Sequence, residues 1–334
     1  MSRKILIFVT LCAFLLSGFT LKQDDELKKA IDQAQAALQK AKTAKERADI
    51  ARGLLAKYPE FKYTADALQI VVAYEFDEKG DLDGAIAFVK EIYSKLKDPQ
   101  IKVNTRNVLL DLYGNPGKSR ELEALAEKIT KHEDVKFTDH LTVIRAGVKA
   151  EHWDLVLKHA EAGKPFATPE AYRKQYPDSN LSEKRIQESG KHRKGLLGAY
   201  KGWALANKNM HKEAIAAFET AKKSTRFTYL GAPDSDLYLY WGKTLMMAGD
   251  HEGAMKKLAP TALFGANKDA MKAMEKAYSS HPGNGGDYDA FVHKLRAEYA
   301  PTMSDFTGIN YDDKKQTYES LKGKVTLVAF WFPT

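Results

Sequence analysis

Few side chains in this 334-residue chain stand at a spacing that chemistry needs. Gly117-Lys118-Ser119 ends like a phosphate-binding loop, in which the lysine would reach the outer phosphates. That loop also needs a glycine five residues earlier, where Leu112 stands, and a preceding strand, whereas Val103 to Tyr113 reads as helix. His251-Glu252 starts like a helical zinc-protease motif, but Met255 occupies the place of the second histidine. His152 and His159 are seven residues apart and can share a helix face. With no third ligand in view, packing or solvent exposure is the reading, not metal. Gly283-Asn284-Gly285-Gly286 follows a helical stretch and reads as a flexible loop. Asn180-Leu181-Ser182 fits a glycosylation acceptor, a short pattern that weighs little. The single cysteine, Cys12, excludes an intramolecular disulfide and a zinc site built from several cysteines. Neither a metal nor a cofactor is expected.

The elements that would carry such residues follow from composition and pattern. Apolar residues make up 44% and charged residues 29%, which excludes wholesale disorder. Lys and Arg exceed Asp and Glu by 52 to 44, a net charge of +8, and the charges are interspersed, so nucleic-acid binding is not expected. The first residues have a leader's layout. Arg3 and Lys4 precede the apolar run Ile5 to Leu16, and small residues at Ser17 to Thr20 precede the charged Lys22 to Glu26. The run is shorter than the ~20 residues of a membrane span. Residues 1–20 are therefore expected to be a secretory signal, cleaved near Gly18 to Thr20, with export to the periplasm. An uncleaved anchor is the alternative, and would be the only membrane contact.

Residues 21–297 read as helices. Leu27, Ile31, Ala34 and Leu38 recur at helical spacing, and period-2 alternation is nearly absent. Prolines from Pro59 to Pro282, Pro260 among them, are expected where helices start or stop. Gly80-Asp81-Leu82-Asp83-Gly84-Ala85-Ile86 returns as Gly249-Asp250-His251-Glu252-Gly253-Ala254-Met255 and as Asn209-Met210-His211-Lys212-Glu213-Ala214-Ile215. Glu151-His152-Trp153-Asp154 is a weaker copy. At an offset of 40 residues Gly202 matches Gly242, Ala214 matches Ala254 and Phe218 matches Leu258. A period of this size marks a helix-turn-helix repeat. Gly202, Gly242, Ala214 and Ala254 are expected where two helices approach closely, and Phe218 and Leu258 between units. The turns carry Gly or Asn because one residue must take positive φ. On Gly202, Ala214, Phe218 and Ala221 the unit resembles the tetratricopeptide repeat. That resemblance implies an α-solenoid of four to six helix pairs with protein or peptide partners. Position 89 departs from it, with Val in place of Phe.

Lys164 to Pro169 and Tyr176 to Asn180 read as a loop between two sets of pairs, followed by the basic Lys184-Arg185 and Lys191-His192-Arg193-Lys194, taken as a solvated helix face. Trp153, Trp203, Trp241, Tyr229, Tyr238 and Tyr240 read first as core, although exposed aromatics on a solenoid would suit peptide binding.

The pattern changes in residues 298–334. Ala300-Pro301 and Met303 are followed by Leu321-Lys322-Gly323-Lys324, then by the apolar Val325 to Phe332. The run is apolar on both faces, as a buried central strand is. The order Ala-Pro, Leu-x-Gly-Lys and a strand ending in Phe330-Trp331 resembles the opening of a redoxin-type, TlpA/ResA-like thioredoxin domain. In that family the strand runs directly into Cys-x-x-Cys. The resemblance implies that Trp331, Pro333 and Thr334 flank an active site whose cysteines lie beyond Thr334. The expected fold is mostly α: a tetratricopeptide-like α-solenoid followed by the first part of a truncated α/β thioredoxin-like domain. The expected function is an exported thiol-disulfide oxidoreductase, inactive in these 334 residues alone. The alternative is a non-enzymatic scaffold or peptide-binding protein.

Overall fold

The computed structural model describes residues 25–131, 135–226, 233, 235–265, 267–282, 286–299, 307–309, 312 and 314–321. The expected leader, the strand Val325 to Phe332, and Trp331, Pro333 and Thr334 lie outside them, as does Tyr229. The described chain is mostly α. Fifteen α-helices occupy residues 25–299. They are α1 (Asp25–Lys40), α2 (Ala44–Lys57), α3 (Thr64–Val72), α4 (Leu82–Lys95), α5 (Pro99–Tyr113), α6 (Ser119–Thr130), α7 (Phe137–Lys149), α8 (Trp153–Ala162), α9 (Pro169–Gln175), α10 (Glu183–Asn207), α11 (His211–Lys222), α12 (Leu237–Met247), α13 (His251–Phe264), α14 (Lys268–Ser280) and α15 (Tyr288–Tyr299). Consecutive helices pack in pairs and each pair packs on the next, consistent with a helical repeat array. No described helix is long and apolar enough to cross a membrane.

The repeated turns explain the helix hairpins. Gly80, Glu151, Asn209 and Gly249 take φ of +74°, +54°, +62° and +81° at the same point of four hairpins. The next amide in three of them, on His152, Met210 and Asp250, donates to the carbonyl five residues back, at 2.8, 3.0 and 2.9 Å. This closes the helix end with a left-handed residue. In the α3–α4 hairpin α3 widens into a π-helix over Ala73–Glu78, and Asp81 N–H reaches one residue further, to Glu75 O. Asp81 and Asp250 then cap the following helices by accepting from Gly84 and Gly253 N–H at 2.8 Å. A Cβ on either glycine would lie 2.2 Å from the capping carboxylate, so Gly-Asp-x-x-Gly is a single device. Thr43 and Glu46 cap α2 reciprocally, and Asp98 with Pro99 opens α5.

Two expectations need correction. Pro260 lies inside α13, not at its end. It removes the amide that would bind the Lys256 carbonyl, and Lys256 is on the exposed face, where water can replace the bond. Lys164 to Pro169 is not simply loop, since Lys164–Phe166 form a 3₁₀ turn and Pro169 opens α9, whereas Tyr176 to Asn180 lie between α9 and α10. Pro169 sits directly against Gly190, where a Cβ would meet Pro169 N at 2.9 Å. Within α10 the basic run divides: Lys184, Arg185, Lys191 and Lys194 are exposed, and Arg193 is buried.

The core forms three groups along the array. One runs from Ile31 to Leu155, one from Ala199 to Leu295, and a smaller one between them holds Phe137, Ile144, Val156, Ala160, Leu197 and Ala204. After α15 comes a two-stranded antiparallel hairpin, β1 (Thr307–Ile309) and β2 (Lys315–Thr317), in register Thr307 to Thr317 and Ile309 to Lys315. The short helix α16 (Tyr318–Leu321) follows β2.

Candidate partner-binding face

The packing residues expected from the repeat have these places. Ala214 and Ala254 are fully buried in α11 and α13, as are Phe218 and Leu258. Gly202 on α10 faces Phe218 on α11: a Cβ there would lie 2.4 Å from Phe218 Cε1. Gly242 on α12 faces Leu258 on α13 in the same way, 2.4 Å from Leu258 Cγ. Phe218 also reaches the next unit, stacking on Trp241 at 5.9 Å.

Measured from the positive-φ residue of each hairpin, equivalent positions on the first helices carry distinctive side chains. Six residues before it stand Arg145, Trp203 and Lys243, and nine before it stand Tyr200 and Tyr240. These residues meet across units. Trp203 stacks on Tyr240 at 5.0 Å and 9°, and Trp153 meets Trp203 edge-on at 6.3 Å. Tyr200 touches Tyr240 at 5.8 Å. Lys243 Nζ is 6.0 Å from the centre of the Trp203 ring, and Arg145 Nε donates to Tyr200 Oη at 3.4 Å. Trp153, Trp203, Tyr240 and Lys243 are half-buried, Arg145 is exposed, and Tyr200 is buried. By contrast Trp241 and Tyr238 are core residues, 1% and 6% exposed. Burial pushes the phenols of Tyr200 and Tyr240 up, so both remain protonated hydrogen-bonding groups at neutral pH. Asp236, just before α12, is near enough for Arg145 and Lys243 to act on its carboxyl. Lys149, one turn after Arg145, binds Asp111 on α5, at 2.9 Å to its carbonyl. The arrangement can hold a chain by ring stacking, cation–π contact and charge.

The histidines separate. His152 precedes α8, its Nε2 3.9 Å from Glu123, while His159 is buried. His159 meets His140, which the sequence reading did not single out: the two Nδ1 atoms are 3.3 Å apart. A signal was present. His140 lies in the stripe Phe137, His140, Val143, Ile144, Gly147, and His159 in Leu155, Val156, His159, Ala160. His211 and His251 both open second helices, and each buries an Nδ1 without a partner. Among the described residues no three His, Cys, Asp or Glu side chains gather as metal ligands. Gly117-Lys118-Ser119 lies in the α5–α6 turn, where Lys118 pairs with Asp83. No protein-family model and no curated protein matches this chain.

Proposed function

We propose that the helical array is a tetratricopeptide-like protein-binding module of an exported protein. The observation that carries the reading is the stripe Arg145, Tyr200, Trp203, Tyr240 and Lys243, which repeats at equivalent positions of three units and is left partly open to solvent. Half-buried aromatic and basic side chains are the usual anchors of protein recognition. The fitting partner is an extended segment that lays an apolar or proline side chain on Trp203 and Tyr240 and offers a carboxylate to Arg145 or Lys243. Selection from a displayed library of unstructured peptides tests this. Enrichment of acidic–apolar sequences that is lost on Trp203→Ala/Tyr240→Ala supports it, and equal enrichment on that variant overturns it.

The second part of the reading is redox chemistry in a thioredoxin-like domain that starts near Ala300. It is favoured by the change from helix to strand pairing at Thr307–Ile309 and Lys315–Thr317, just before Leu321-Lys322-Gly323-Lys324. That chemistry needs a low-pKa thiolate at a helix N-terminus. Cys12, in the leader stretch, is the one cysteine here, so the reductase activity belongs to an expected Cys-x-x-Cys following Thr334. Reading the open frame past Thr334 tests this part alone: a cysteine pair supports it, and a cysteine-free continuation leaves the binding module.

A further inference from the structure

The small middle core holds two imidazoles where apolar residues surround them. His140 on α7 and His159 on α8 are 2% and 1% exposed, with Nδ1 atoms 3.3 Å apart. The Phe166 ring covers His140 at 5.2 Å. A close pair of ring nitrogens needs one proton between them. His140 Nε2 is buried with no partner, and a buried N–H without an acceptor costs more than a bare lone pair. The consistent assignment puts the shared proton on His140 Nδ1, donating to His159 Nδ1, with the single N–H of His159 on Nε2. Both rings are then neutral.

We propose that this pair is a proton-operated latch that holds α8 and the Lys164–Phe166 turn against α7, and that acid opens it. A first added proton would keep the bond, now from an imidazolium to an imidazole, but bury a cation, and a second would remove the acceptor and set two cations at 3.3 Å. Both are disfavoured in an apolar site. The surrounding charges do little to relieve this. On α7, Asp139 is the carboxylate that acts on His140, but it is bound to Arg106 and to the Lys136 amide. On α8, Lys158 acts on His159 with the same sign as a proton. On the turn, Lys164 pairs with Glu161. On α10, buried Arg193 donates to the Phe166 carbonyl at 3.1 Å and lies over the Phe137 and Tyr172 rings, bringing no negative charge to the pair. Burial accordingly lowers both imidazoles, His159 to about 4. The latch is closed above the ordinary histidine range and strains as pH falls through it. The same turn carries the chain from α8 to α9, so release frees the segment between the two larger cores.

Hydrogen exchange of the full chain between pH 7.5 and 4.5, corrected for intrinsic rates, is the test. Protection over residues 137–176 should fall at least about tenfold more than over residues 237–264, because a histidine lowered this far resists protonation by more than a pH unit. The His140→Leu/His159→Leu variant removes both partners together and should lose that difference. An equal fall in both regions, or the same local fall in the double variant, overturns the latch. If the double variant does not fold, imidazole nitrogen shifts of the unmodified protein decide. Two neutral rings still unprotonated at pH 5.5 support the proposal, and two rings titrating near pH 6.5 overturn it.

Discussion

Gly147 on α7 lies beneath Val156 on α8: a Cβ at Gly147 would be 2.9 Å from Val156 Cγ2. The position of Val156, five residues after the positive-φ turn, holds alanine in the other three hairpins, as Ala85, Ala214 and Ala254. The position of Gly147, four residues before the turn, holds Leu205 and Leu245 in the two later ones. Large and small have changed sides. The same exchange recurs one turn further out, where Ile144 and Ala160 replace Gly202 with Phe218 and Gly242 with Leu258. What recurs is a small side chain facing a larger one, so the space between two helices is filled from one side or the other, as close packing demands.

This volume rule is directly measurable. Gly147→Ala should destabilise the array by about 1–3 kcal/mol through overpacking. Adding Val156→Ala should return part of that loss, so denaturation of the two single variants and the double should show coupling of about 1 kcal/mol or more. Strict additivity would separate the two residues.

Ala214 is fully buried where α11 meets its neighbours. Ala214→Arg would force an unpaired guanidinium into that contact, with an expected loss of about 3 kcal/mol or more. An unchanged thermal midpoint would refute the close approach of α10 and α11.

The turns give opposite signs for related substitutions. Gly249, at φ +81°, has nothing within 4 Å of an added Cβ, so Gly249→Ala suffers only backbone strain, about 1 kcal/mol. Glu151 already bears that strain at φ +54°, and Glu151→Gly should be neutral or stabilising by up to about 1 kcal/mol. The urea midpoint should therefore fall for Gly249→Ala and stay level or rise for Glu151→Gly.

Glu75, in the π-helical stretch, is bound by Arg52 and, at 2.7 Å, by Lys79. Burial works to raise its carboxyl, but the hydrogen bonds from Lys79 and Arg52 outweigh it and the group sits below the usual range. A lowered carboxylate adds stability above its unfolded pKa and loses it as pH falls through the lower folded value. Glu75→Gln should cost about 1–2 kcal/mol at pH 7, and the gap to the unmodified protein should close below about pH 4. A gap independent of pH would assign the effect to shape instead of charge.

Local rules were sufficient for much of this molecule. Gly80, Asn209 and Gly249 announce the turns, because residues that tolerate positive φ are favoured at such a helix end, which Glu151 occupies with strain. Asp81, Asp98 and Asp250 announce the helix starts, since a short side-chain oxygen reaches the free amides. The helical array and its 40-residue offset follow from these and from the apolar stripes. Periodicity does not reveal which partner a buried stripe meets. His140 and His159 are 19 residues apart on different helices, and their contact depends on how α7 and α8 cross. The division between Trp241, in the core, and Trp203, half open beside Lys243, was likewise decided by tertiary packing. Both tryptophans sit on the first helix of a hairpin, six and eight residues before its positive-φ turn. Their exposure depends on which side the neighbouring unit covers, a property of the assembled array that no single helix carries.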